Sequence, residues 1–111
     1  MYAITFDLDT KELEKRYPSA SWQTAYRDIE IFLADYGFTR QQGSVYFGDA
    51  QVDAVTCVTA VQDMSEEFDW LEPCVRDIRM LRIEERNDLM PALKKSLRRS
   101  KQKVKAVRRI A

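Results

Sequence analysis

The chain opens Met1-Tyr-Ala-Ile-Thr-Phe-Asp-Leu-Asp9, an apolar run that ends in two carboxylates. Side chains on a strand alternate faces, so Tyr2, Ile4, Phe6 and Leu8 point one way and Ala3, Thr5, Asp7 and Asp9 the other. One face suits a core and the opposite face is small, then acidic. A nucleic acid or metal ion visiting this protein is expected near Asp7. Histidine is absent, which removes triads with a His base, His-ligated metals and paired-imidazole acid/base chemistry. Any chemistry falls to Asp, Glu, Ser, Tyr, Lys or Arg, with or without a hard cation.

The remaining composition bounds the class. A chain of 111 residues, 45% hydrophobic and 32% charged, is long enough for one core and too short for two. No apolar run approaches the ~20 residues that span a bilayer. The first residues read as a strand rather than a signal peptide, so a cytoplasmic protein without membrane contact is expected. Cys57 and Cys74 form no C-x-x-C pair and read as small buried hydrophobes in a reducing compartment. The formal net charge of +0 conceals a division. Residues 1–93 hold 9 Lys+Arg against all 18 Asp+Glu, a net of −9, while residues 94–111 hold 9 basic residues and no acid, a net of +9. An acidic body carries a basic tail.

The elements that must position Asp7 follow in order. After Asp9 a polar connection runs to Pro18. Trp22, Ala25, Tyr26, Ile29, Leu33 and Tyr36 then fall at helical spacing, with Ser19 or Ser21 as cap and Gly37 as the left-handed terminator. Phe38–Gly43 and Ser44–Gly48 read as two short strands in a hairpin, with Gly43 allowing a bend or bulge. Asp49 is the expected cap of a second helix reaching about Met64, striped by Ala54, Cys57, Val58 and Val61 and widened by Val55. Residues 65–73 read as an irregular or 3₁₀ segment closed by Pro73. Val75–Ile83 alternates as a strand, and a further helix is expected beyond Asn87-Asp88, with Pro91 in its first turn. The order βαββαβ predicts an α+β, ferredoxin-like antiparallel sheet with both helices on one face. Two regions follow: a domain over 1–90 and a basic helical extension over 91–111.

The residues also carry a resemblance. Met1-Tyr-Ala-Ile-Thr-Phe-Asp-Leu8, Gly37-Phe38, Gln42-Gly-Ser-Val-Tyr46 and Val75-Arg-Asp-Ile-Arg79, with Glu84 and Asp88 after them, resemble the virulence-associated protein D (VapD) family over about residues 1–90. Such proteins are similar in fold to the nuclease-like subunit of CRISPR adaptation complexes. The resemblance implies a homodimeric endoribonuclease that cleaves single-stranded RNA, in several bacteria the toxin of a toxin–antitoxin pair with a protein antitoxin. The alternative is a non-catalytic dimeric scaffold that binds nucleic acid or protein, as the CRISPR adaptation subunit is thought to do.

Carried over by position, the resemblance puts the functional aspartate on Asp7, the motif serine on Ser44 and the second aspartate on Asp77. Asp9 is an additional acid outside the pattern, and the tail after about residue 92 is longer and more basic than the usual end. Two Asp7 carboxylates meeting across a dimer axis would suit Mg²⁺; alternatively, one carboxylate serves as general base on the RNA 2′-OH. Arg76 and Arg79 offer forked donors for a phosphate, or pair with Asp77 or Asp7 to hold strands together. Tyr2 and Tyr46 offer rings for unpaired bases, with core packing as the commoner use of strand aromatics. The tail suits either phosphate neutralisation or docking of its Leu93, Leu97 and Val104 stripe.

Overall fold

In a computed structural model the described residues are 1–93. The element order is β1 (Tyr2–Leu8), α1 (Thr10–Arg16), α2 (Thr24–Ala34), β2 (Phe38–Gln42), β3 (Val45–Gly48), α3 (Ala54–Glu67), α4 (Leu71–Cys74) and β4 (Val75–Arg82). The four strands form one antiparallel sheet in the order β2-β3-β1-β4. β3 thus lies between β1 and β2, and β1 between β3 and β4, which is the split βαβ pattern of the ferredoxin-like fold expected from the sequence.

One face of the sheet is dry. Ile4, Phe6, Leu8, Phe38 and Tyr46 are buried there with Ala25, Ile29 and Leu33 of α2 and Cys57, Ala60 and Met64 of α3. The alternation of β1 therefore holds for its core residues, and both free cysteines are buried. Ala3 departs from it: although on the opposite face, it is fully buried, because Phe47 and Leu81 flank it in the ladder. Part of that face is covered by the chain itself, since the Arg86 guanidinium lies 5.2 Å from the centre of the Phe47 ring.

Several boundaries differ from the sequence reading, each for a local reason. Residues 10–16 are a helix rather than a polar connection: Asp9 accepts from the backbone N–H of Lys11 and Glu12, and Glu12 pairs with Lys15 and Arg16. Only Leu13 anchors α1 in the core, so there was no apolar period to see; its full burial contributes on the order of 1.5–3 kcal/mol. α2 begins at Thr24 without a side-chain cap; the carbonyl of Ser21 accepts from Thr24 N–H, so neither Ser19 nor Ser21 caps it through its hydroxyl. Gly37 is left-handed as expected, at φ 91°.

The hairpin forms as predicted, with Gly43 at φ 50° and a ladder irregularity between Arg40 and Gln42. The second crossover starts at Asp53, whose carboxylate accepts from Thr56; Asp49 instead closes a tight turn by accepting from Gln51 N–H. α3 runs on to Glu67, and its buried side is Cys57, Ala60 and Met64, leaving Val55 and Val58 exposed. Residues 65–73 are therefore the end of α3 and the start of α4, with Pro73 inside that short helix. Residues 90–93 are helical after Asp88 accepts from Met90 N–H, with Pro91 in the first turn. The rest of the expected basic helix, residues 94–111, lies outside the described residues.

Candidate active site

β1 carries Asp7 to the exposed end of its strand, and the ladder sets Asp77 of β4 directly opposite it. Opposed residues of antiparallel strands share a face with Cβ atoms about 4.5–5.5 Å apart. Two carboxylates therefore sit side by side on the face away from the helices. The next row on that face is Val45, Thr5 and Arg79. The Asp77 carboxylate receives the Arg79 Nε–H, which lies 3.1 Å from each oxygen. Only Nε of Arg79 is used, so its terminal N–H groups stay available to a phosphate.

Among the described residues Asp7 has no hydrogen-bond or ion-pair partner. Asp9 is the opposite case. It caps α1 and lies 3.3 Å from the Arg76 guanidinium. The Glu12 amide bond and, after it, Arg76 hold its carboxyl below the usual 3.8. The two acids that close the first strand thereby differ in surroundings: Asp9 is engaged by the α1 cap and Arg76, whereas Asp7 is exposed and has no such partner among the described residues. Arg76 pairs with Asp9 and not with the expected Asp77 or Asp7, and its side chain stays 61% exposed.

Ser44 sits in the β2–β3 turn, and its carbonyl accepts from Phe6 N–H at 3.2 Å. This bond holds the turn against Phe6, the residue before Asp7, so the Ser44 backbone lies near the strand end where Asp7 and Asp77 stand, with Ser44 opposite Phe6 and not on the Asp7 face. Tyr46 does not join them. It is 1% exposed with its ring 5.8 Å from Phe6, and burial pushes its hydroxyl up to about 12. No face of that ring is open to a base, which corrects its expected substrate-binding role. The physical reason is its register opposite Ile4 on the core side.

Two neighbours were missed by the sequence reading. Tyr26 of α2 has its hydroxyl raised first by burial and then by the charge of Asp7, so it lies within electrostatic reach of that carboxylate. Its place in the α2 stripe marked it only as core. Arg40 donates from Nε to the carbonyl of Gly43 at 2.8 Å, beside Ser44. Nothing in its spacing distinguished it from a solvated strand residue.

Mg²⁺ commonly takes one or two carboxylates, retained waters and a substrate phosphate. Asp7 and Asp77 fit that modest donor set. A cage built wholly from protein is another matter: no cluster of three or more Asp, Glu, Cys or His suited to a metal occurs among the described residues. Nor, among them, is any helix long and apolar enough to cross a membrane.

Fold and site together define a ferredoxin-like α+β protein with a carboxylate pair on its open sheet face. No protein-family model matches the chain. It is 52% identical over 93 residues to Endoribonuclease VapD 2 of Riemerella anatipestifer, covering 84% of this chain and 99% of that protein. A Helicobacter pylori protein named Endoribonuclease VapD homolog is 52% identical over 94 residues, 85% of this chain and 97% of its own length. Endoribonuclease VapD of Haemophilus influenzae is 39% identical over 88 residues, 79% and 92% of the two chains. The chain belongs to the VapD family.

Proposed function

We propose that this protein is an endoribonuclease that cuts single-stranded RNA on the open face of its sheet, with Asp7 at the centre of the chemistry. The observation that carries the reading is an exposed, unpartnered Asp7 set opposite Asp77, in a chain 52% identical to proteins named endoribonuclease. Asp7 takes the proton of the attacking hydroxyl or holds a Mg²⁺ ion with Asp77. When bound, the metal would neutralise charge on the scissile phosphate. Arg79, oriented by Asp77, offers its terminal N–H groups to that phosphate, and Ser44 lines the same end of β1. The protein acts as a cytoplasmic homodimer and toxin, restrained by a protein antitoxin, with its basic tail supplying salt-dependent contact to RNA.

The test is incubation of purified protein and of Asp7→Asn with single-stranded RNA, with and without chelator, followed by mapping of the ends. Attack by the 2′-OH leaves a 2′,3′-cyclic phosphate and survives chelation; metal-activated water leaves a simple phosphate end and does not. Equal cleavage by both proteins removes Asp7 from the mechanism.

A further inference from the structure

The negative charge of the body is gathered in one stretch of the chain. Residues 28–72 hold ten Asp+Glu and one basic residue, a net of −9, whereas residues 1–27 and 73–93 each hold four acids and four bases. That stretch supplies most of α2 and all of α3, so much of the excess falls on the helical layer, opposite the open sheet face. Between α2 and the end of α3 a cavity of about 230 Å³ is lined by Asp28, Ile31, Phe32, Asp35, Glu67 and Phe68. Its walls are apolar: the Phe32 and Phe68 rings meet edge to face with centres 5.6 Å apart, and Ile31 is 55% exposed. Its rim is acidic. Asp28 accepts from the Tyr17 hydroxyl, but the side chains of Asp35 and Glu67 have no hydrogen-bond or ion-pair partner among the described residues.

We infer that the basic segment 94–111 of the same chain docks in this groove, laying its long cationic side chains along the two phenylalanine rings with their charges against Asp35 and Glu67. Groove and segment are complementary in both respects. The segment carries a net of +9 with no acid, and Leu97, Val104 and Val107 are spaced among its cations. Lys and Arg cover apolar surface with their stems while the charged head reaches past it, and a cation over a phenylalanine face gains further attraction. The open sheet face is a poorer seat. Asp7 and Asp77 there share their surface with Arg79, and both lie in stretches of zero net charge.

The segment is also long enough. Eighteen residues span up to about 60 Å when extended, whereas a domain of 93 residues is about 30 Å across and ~50 Å around to its far side. Any point on the body is within reach. The contact goes beyond the proposed cleavage and holds for a protein that cuts nothing. In a protein that does bind RNA, the phosphates compete with the groove for the same cations.

The test uses the full chain, freed of nucleic acid. A carbodiimide joins a carboxylate to an amine without a spacer, so at low salt it should link Asp35 or Glu67 to lysines of 94–111, as mapped by mass spectrometry. In an equal mixture of unlabelled and isotope-labelled protein, each linked pair should carry one label. Trypsin supplies the second readout, since cleavage tracks the population of the undocked segment. The double variant Asp35→Lys, Glu67→Lys should release peptides of 94–111 about tenfold faster than wild type or more, and wild type should approach that rate near 1 M salt, where the screening length falls to about 3 Å. Glu14→Lys, Glu85→Lys makes the same change in net charge away from the groove and should leave the rate as in wild type. Thermal unfolding checks that both double variants are folded. Links of mixed label, links to acids outside residues 28–72, equal cleavage in wild type and groove variant, or a control variant that matches the groove variant would each overturn the inference. So would a segment cut freely until single-stranded RNA is added, which would place it on RNA instead. RNA cleavage is assayed apart, and its failure removes the proposed function while leaving the docked segment intact.

Discussion

Asp7→Asn should make the protein inactive and slightly more stable at once. The ladder holds Asp7 opposite Asp77, and like charges directly opposed on adjacent strands oppose pairing. Two unit charges about 5 Å apart in water repel by about 0.8 kcal/mol. Arg79 on Asp77 and solvent ions cancel part of this, leaving a gain of about 0.5 kcal/mol on neutralising Asp7. For a domain of this size that is roughly 2–4 °C in Tm. Removing a positioned proton acceptor costs about 10²–10⁴-fold in rate. Thermal unfolding by circular dichroism reads the first effect and cleavage of a labelled single-stranded RNA the second. Asp77→Asn is the control, because it weakens the Arg79 contact and should show no stability gain. A fall in Tm for Asp7→Asn would mean that Asp7 has a structural partner. Unchanged cleavage would remove it from the chemistry.

Other outcomes follow from single contacts. Tyr46→Ala, which empties a buried site against Phe6, should destabilise by about 3–5 kcal/mol in urea unfolding, with lost cleavage tracking lost fold. Gly37→Ala forces a side chain into φ 91° and a Cβ to within 2.9 Å of the Asp49 carboxylate, a cost of about 1–2 kcal/mol or more in the same assay. Asp9 and Asp53 both titrate below 3.8, so the stability they contribute is complete above that value and lost as pH falls through their lower folded values. Urea midpoints should therefore drop on acidification below about pH 4, less steeply in Asp9→Asn. Tyr17 and Tyr46 rise from 10.0 to about 12, so their share is complete below pH 10 and lost as pH climbs through 12. Phenolate absorbance should lag that of free tyrosine over this span.

The sequence by itself determined the class of fold, the strand that carries Asp7 and the family. Period-two alternation in β1 and the period of 3.6 in α2 state which faces must be dry, and dry faces admit few arrangements of six elements. Only the tertiary structure separated the surroundings of Asp7 and Asp9. Spacing places both on the same strand face, but one folds back to cap α1 and meets Arg76, and the other meets the ladder position of Asp77, 70 residues away in the chain. Tyr46 shows the same limit, since a strand aromatic has two faces available and the register with Ile4 chooses one. α1 went unseen because one leucine and a cap leave no period. What stayed illegible depends on which strands pair and at what offset, a property of contacts distant in sequence that no local pattern encodes.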